Sequence, residues 1–130
     1  MRRCAPLVVL LLLGACIGEE RPGRVAPDPY YGGVVEARFL AEDLIRVVVE
    51  MKGARDRRDV LEYAECAVSG YAHDRGFAFA RQVRTQVEER GGVWSADAVY
   101  TVSSSTPRGL RTIDADVAVE DCRARGIPTV

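Results

Sequence analysis

Histidine, cysteine, serine and paired carboxylates are the side chains with which a small domain could do chemistry, and this chain holds few of them. His73 is its single histidine and is followed directly by Asp74. A general base needs its proton partner at about 2.6–3.2 Å, and adjacent residues of a helix do not face each other. His73 therefore reads as a surface residue near a helix end. Ser103-Ser104-Ser105 has neither the G-x-S-x-G turn of a serine nucleophile nor a neighbouring base, and reads as loop. Structural zinc asks for four ligands and catalytic zinc for three from the protein, which one histidine and widely spaced cysteines do not offer. Asp114, Asp116 and Glu120, with Asp121 beside them, form the one acidic concentration. At strand spacing 114, 116 and 120 share a face that could attract calcium, but the calcium loop and its glycine are missing. Solvation of an exposed sheet face is the expected role. Arg55-Asp56-Arg57-Arg58-Asp59 could present arginines and free helix N–H groups to a phosphate. Asp56 and Asp59 oppose an anion and can cap those groups themselves, so a solvated turn is expected. No catalytic residue, metal ligand or cofactor follows from these patterns.

The elements that must place these side chains show in the periodicity. Val35, Ala37 and Phe39 alternate with Glu36 and Arg38, and Ile45, Val47, Val49 and Met51 alternate with Leu44, Arg46, Val48 and Glu50. That is the period of two strands, with Glu42-Asp43 as their turn. A helix over 38–51 competes, since Leu40, Leu44, Val47, Val48 and Met51 also recur at helical spacing. Three consecutive valines, 47–49, lose rotamer freedom in a helix and favour the strands. From Asp59 the period changes: Val60, Ala64, Ala67 and Tyr71 make one apolar stripe, with Glu62, Glu65, Ser69 and Arg75 on the other side. Gly76 can take the left-handed stop conformation. Phe77, Phe79, Val83 and Val87 then alternate as a third strand, Gly91-Gly92 turns it, and Trp94, Ala96, Ala98, Tyr100 and Val102 mark one face of a fourth. Ile113, Ala115, Val117 and Val119 suggest a fifth, against a short helix over 114–125 built on Ala115, Ala118, Val119 and Cys122. The expected fold is α+β: a mostly antiparallel sheet, β-β-α-β-β-β, with one face covered by the helix.

The 130 residues leave no room for a cofactor domain beside a substrate domain. The formal charge of −1 becomes −3 if Arg2 and Arg3 leave with a signal segment, which argues against nucleic acid as a partner. Of the 18 basic residues only Lys52 is not arginine, a bias that codon composition can produce and that marks no phosphate site by itself.

Arg2 and Arg3 precede the apolar run 5–13, the length of a signal-peptide core and too short to span about 30 Å of hydrocarbon. Leu13-Gly14-Ala15-Cys16 resembles the bacterial lipobox. The resemblance implies cleavage after residue 15 and a mature chain starting at Cys16, with lipid on its sulfur. Several acyl chains anchor firmly where one anchors marginally. Ile17, rather than Asp, after that cysteine implies sorting to the outer membrane, with the domain facing the periplasm. Residues 16–33, rich in proline and glycine, read as lipidated Cys and tether, and 34–130 as the folded domain; Tyr30 and Tyr31 are expected to pack the incoming chain onto its edge. With Cys4 lost with the signal and Cys16 acylated, an oxidising compartment leaves Cys66 and Cys122 as a disulfide pair.

Val47-Val48-Val49-Glu50-Met51-Lys52-Gly53, Tyr63-Ala64-Glu65-Cys66-Ala67-Val68 and Tyr71-Ala72-His73-Asp74-Arg75-Gly76-Phe77-Ala78-Phe79 make residues 34–105 resemble a group of small uncharacterised bacterial envelope lipoproteins with a single α+β domain. That resemblance carries no catalytic residues. The expected function is a nonenzymatic envelope protein, anchored to the lipid bilayer through Cys16 and acting in a protein contact or in support. A small-ligand module with an apolar site near Trp94, Tyr100 or Phe77 and Phe79 is the alternative. A hydrolase assembled from distant residues ranks last.

Overall fold

The computed structural model describes residues 28–106, 108–109 and 111–129, with the backbone alone of Val35. In chain order the elements are β1 (Tyr30–Ala41), β2 (Leu44–Lys52), α1 (Arg57–His73), β3 (Phe79–Arg90), β4 (Val93–Ser103), β5 (Thr112–Asp114) and α2 (Ala115–Ala124). The strands form one antiparallel sheet in the order β1-β2-β4-β3-β5. The expected α+β class and strand–helix order hold.

Alternation decides which face is covered. Ile45, Val47, Val49 and Met51 of β2 are buried, and their β4 partners Tyr100, Ala98 and Ala96 are buried with them, because directly paired residues point to the same side. α1 lies on that side with Val60, Tyr63, Ala64, Ala67, Val68 and Ala72 turned inward. Both layers carry alanines where they meet, so the helix can approach the sheet closely. Asp56 caps α1, its carboxylate accepting from Arg58 N at 2.7 Å. Gly76 at φ +81 ends it, Phe77 N donating to Ala72 O and Gly76 N to His73 O, both at 3.0 Å. This is the double bond of a Schellman stop. Gly91 and Gly92, both at positive φ, make the turn between β3 and β4.

Two strands depart from the expected pattern. In β3 the register shifts between Gln82 and Arg84, leaving Val83 as a bulge residue that is 56% exposed. Ala80, not Phe79 or Val83, then faces the helix, paired with Val102, while Thr85 and Val87 oppose Ala98 and Ala96. The fifth strand stops at Asp114, and the helical alternative for the following residues is the one formed. Asp114 caps α2, accepting from Val117 N at 3.1 Å. Of α2's residues only Ala115 and Cys122, two turns apart, are buried, and Val117 is 65% exposed. The alternation through Val117 and Val119 thus matched no buried face. α2 packs against α1, and Gly126 at φ +69 with Ile127 N donating to Cys122 O repeats the stop that ends α1.

β1 begins at Tyr30, ahead of the alternation that starts near Val34. Tyr31 stacks edge-on against Tyr63 with ring centroids 4.8 Å apart, while Tyr30 stays exposed. Gly53 holds the approach of the incoming chain: a Cβ there would lie 2.3 Å from the Asp28 carbonyl oxygen, and its φ of +74 already favours glycine.

Candidate functional site

Cys66 and Cys122 are joined by a disulfide, with Cα atoms 5.8 Å apart. Both are buried, one on each helix, so the bond holds the outer helix α2 to the inner helix α1. At the other end of the same seam, His73 lies between two carboxylates: Nδ1 is 3.3 Å from Asp74 and Nε2 3.6 Å from Asp116. The expectation that His73 and Asp74 would not meet is corrected here. His73 is the last residue of α1, and with no further turn packed around it the ring can swing onto the capping residue. All three side chains are exposed, and no hydroxyl or thiol takes part in these pairs.

The acidic concentration of the C-terminal segment is dispersed by the helix. Asp114 caps, Asp116 turns to His73, Glu120 pairs with Arg123 at 2.6 Å and Asp121 with Arg125 at 2.9 Å. The shared strand face expected of 114, 116 and 120 does not exist. Among the described residues no group of His, Cys, Asp and Glu could hold a metal ion. Ser103 donates within its own loop to Ser105 O, and Arg55 forks onto Asp59 with contacts of 2.8 and 3.0 Å.

Two hollows remain. The first, about 360 Å³, opens where the chain enters the domain and has Tyr31, Met51 and Ile127 as apolar lining. Both of its arginines are paired: Arg55 holds Asp59, and Arg125 reaches Glu62 at 2.9 Å, while Asp28 adds a third acid to the lining. The Arg55 hydrogen bond keeps the Asp59 carboxyl below its ordinary range, and Tyr31 is pushed up chiefly by burial. Paired arginines and one acid in excess over an apolar floor suit a neutral or apolar group better than a free anion. The second hollow, about 410 Å³ and wide open, lies on the helix side of the sheet beyond the cover of α1, between Val87, Trp94 and Glu89 on the strands and Asp56 and Arg57 at the helix start. It is the concave place beside Trp94 that a ligand module would need. Tyr100, by contrast, is buried beneath the helix. Phe77 packs on Phe39 with centroids 5.9 Å apart. Neither hollow includes His73.

The uncovered face of the sheet carries a charge ladder. Glu36 on β1 accepts from Arg38 and Arg46, Arg46 on β2 forks onto Asp97 of β4 at 2.6 and 3.0 Å, and Arg84 of β3 stands 3.8 Å from the same carboxylate. The Arg46 hydrogen bond comes first among the causes that hold Asp97 below the ordinary carboxylate range. Val99, between these side chains, is only 6% exposed despite lying on the open face. It is paired on either side with Arg46 and Arg84, whose long apolar stems can cover it.

Sequence reasoning missed Glu65. It sits half-buried on α1, and burial first, then the neighbouring Glu62, pushes its carboxyl up. Its place on the polar side of the helix with Glu62, Ser69 and Arg75 gave no signal of burial. Cys4 and Cys16 lie outside the described residues, as do the signal segment and most of the tether. No helix among the described residues is long and apolar enough to cross a membrane.

Comparison with known proteins gives a relationship without an activity. A family model described as the YNQ4 C-terminal domain matches residues 31–126. The chain is 32% identical over 106 residues to "Uncharacterized 26.9 kDa protein in nqo8 5'region" of Paracoccus denitrificans. That match covers 78% of this chain and 42% of the relative, so the chain spans less than half the relative's length. No solved structure matches. The matched span 31–126 runs from the first residues of β1 to the glycine that ends α2, taking in the whole sheet and both helices; the chain belongs to the YNQ4 C-terminal domain family.

Proposed function

We propose that this chain is a nonenzymatic, lipid-anchored module of the bacterial cell envelope. Cys16 carries the lipid, the outer membrane holds the anchor, and the domain works in the periplasm through a protein contact or as support. The observation that carries this reading is the buried Cys66–Cys122 bond between the two helices, because such bonds persist in oxidising compartments and are rare in the reducing cytosol. The lipobox-like Leu13-Gly14-Ala15-Cys16 and the proline-rich tether are consistent with it. His73, the best sequence candidate for a catalytic base, meets only exposed carboxylates, which lends no support to a hydrolase.

Replacing Cys16 by Ser should abolish incorporation of labelled fatty acid and release the chain from membranes. Density fractionation should place the wild type with the outer membrane, and crosslinking in native membranes should recover a recurrent protein partner. An unlipidated wild-type chain that stays soluble without detergent overturns the anchor, and repeated absence of any partner overturns the contact.

A second reading keeps one specific observation behind it. The hollow beside Trp94 and Val87 is concave and partly apolar, the form a small-ligand site takes. Quenching of the single tryptophan by a candidate envelope metabolite, lost on Val87→Asp with Trp94 kept as the reporter, would favour it.

A further inference from the structure

The two edges of the sheet are not alike. β1 is broken by three register shifts and carries Gly32 and Gly33, the irregularity by which natural edges refuse new strands. At the other edge β5 pairs only with Phe79, Ala80 and Arg81, while β3 continues to Arg90. From Gln82 to Arg90, β3 therefore has no strand partner among the described residues on the side away from β4, and beyond the Val83 bulge its register is regular. Unpaired main-chain N–H and C=O groups along such a stretch are a template for another strand.

We propose that this edge pairs with the same edge of a second copy of the chain, antiparallel about a two-fold axis through Gln86, joining the two sheets into one. An axis normal to the sheet keeps the same faces up in both copies, so only registers that match residues of one face are open to a symmetric pair. On the open face lie Arg84, Gln86, Glu88 and Arg90, whose β4 partners are Val99, Asp97, Ser95 and Val93. Centred on Gln86, the pairing sets Arg84 against Glu88 of the other copy, twice, and Thr85 against Val87, twice. Centring on Val87 would set Arg84 against Arg90, and centring on Glu88 or Glu89 would set like glutamates face to face. Opposite charges directly across a ladder stabilise it and like charges weaken it. Among the described residues Glu88 is engaged only by exposed Arg90 of its own strand at 3.3 Å, and Arg84 only by the distant Asp97 at 3.8 Å, so both can turn to a new partner.

The same register also fits the length of the gap. Across the Val83 bulge, which takes up one residue, Glu89 of one copy falls opposite Gln82 of the other, the last residue before Arg81 and the end of the β5 pairing. The chain then leaves through Arg90 and the Gly91-Gly92 turn toward its own β4 at the point where β5 begins. The helix-side hollows beside Val87 and Trp94 come to lie on the same side of the joined sheet.

The pairing does not depend on the lipid anchor, and the Cys16→Ser chain should keep it. The full chain, purified in mild detergent, is expected to show a two-copy protein mass by light scattering. Gln86→Cys should form an interchain disulfide on mild oxidation, whereas Arg90→Cys, four residues from the axis, should do so far less. Arg84→Glu should weaken the dimer about tenfold, and Arg84→Glu with Glu88→Arg should restore it. These positions are exposed, and circular dichroism checks that each variant folds. A monomer at all concentrations, equal crosslinking at residues 86 and 90, failure of the charge reversal to rescue, or capture at residue 86 of a different protein in place of the second copy overturns the proposal.

Discussion

At the scale of single residues, chemistry is set by which partner a side chain reaches. His73 reaches carboxylates, Arg55 and Arg125 reach acids of their own hollow, and Ser69 donates to Glu65 O at 2.6 Å within its helix. Glu65 is the residue held against its preference, since burial and Glu62 both favour its neutral form. A carboxyl raised in the folded state contributes most below its ordinary pKa, and that contribution is lost as pH rises through the raised value. Glu65→Gln should therefore stabilise the domain at pH 7, by about 1 kcal/mol or less. The gain should vanish below about pH 4, where the wild-type carboxyl is neutral in both states. Urea midpoints of the two proteins at pH 3.5 and 7 give the comparison; an equal difference at both pH values would contradict it.

At the scale of elements, the helices depend on different supports. α1 buries a broad stripe on the sheet, whereas α2 buries only Ala115 and Cys122 and is held by its cap, the Arg125–Glu62 ion pair and the disulfide. The bond closes a sequence separation of 56 residues, which on the chain-entropy argument is worth about 4 kcal/mol, less any native strain. Reduction should lower the unfolding midpoint markedly. Local loss of protection should begin in α2 and spare β2 and β4, which hydrogen exchange can resolve. Uniform exchange across both helices after reduction would show that α2 needs no staple.

Across the whole molecule, one face of the sheet is sealed by a helix and the other by charges. Asp97, Glu36 and Asp59 are all held low, each first by a hydrogen bond from arginine: Arg46, Arg38 and Arg55 in turn. Carboxyls lowered in the folded state contribute stability above their ordinary range and lose it as pH falls through the lowered values. Unfolding should therefore set in below about pH 4. Asp97→Asn should lower the thermal midpoint at pH 7 and flatten its fall between about pH 4 and 2. A wild-type midpoint unchanged down to pH 2 would dismiss the ladder as a contributor.

Much of this architecture was legible in the chain. Period-two alternation in residues 44–51 and 94–102, the helical stripe from Val60 to Tyr71, the stop at Gly76 and the turn at Gly91-Gly92 depend on local geometry and burial, and residue order records both. The second stop was also written there: Arg125-Gly126-Ile127 repeats the Arg75-Gly76-Phe77 phrase that ends α1, and reading it would have favoured the helix over a fifth strand. Tertiary structure alone decided the rest. The bulge at Val83 reverses which β3 residues face the helix, because one extra residue shifts a period of two. The burial of Glu65, the joining of Glu36, Arg46, Asp97 and Arg84 across four strands, and the length of β3 left bare beyond β5 are relations between elements distant in sequence. Cys66 and Cys122 could be paired by counting cysteines, but only the antiparallel packing of α2 on α1 brings their Cα atoms to 5.8 Å.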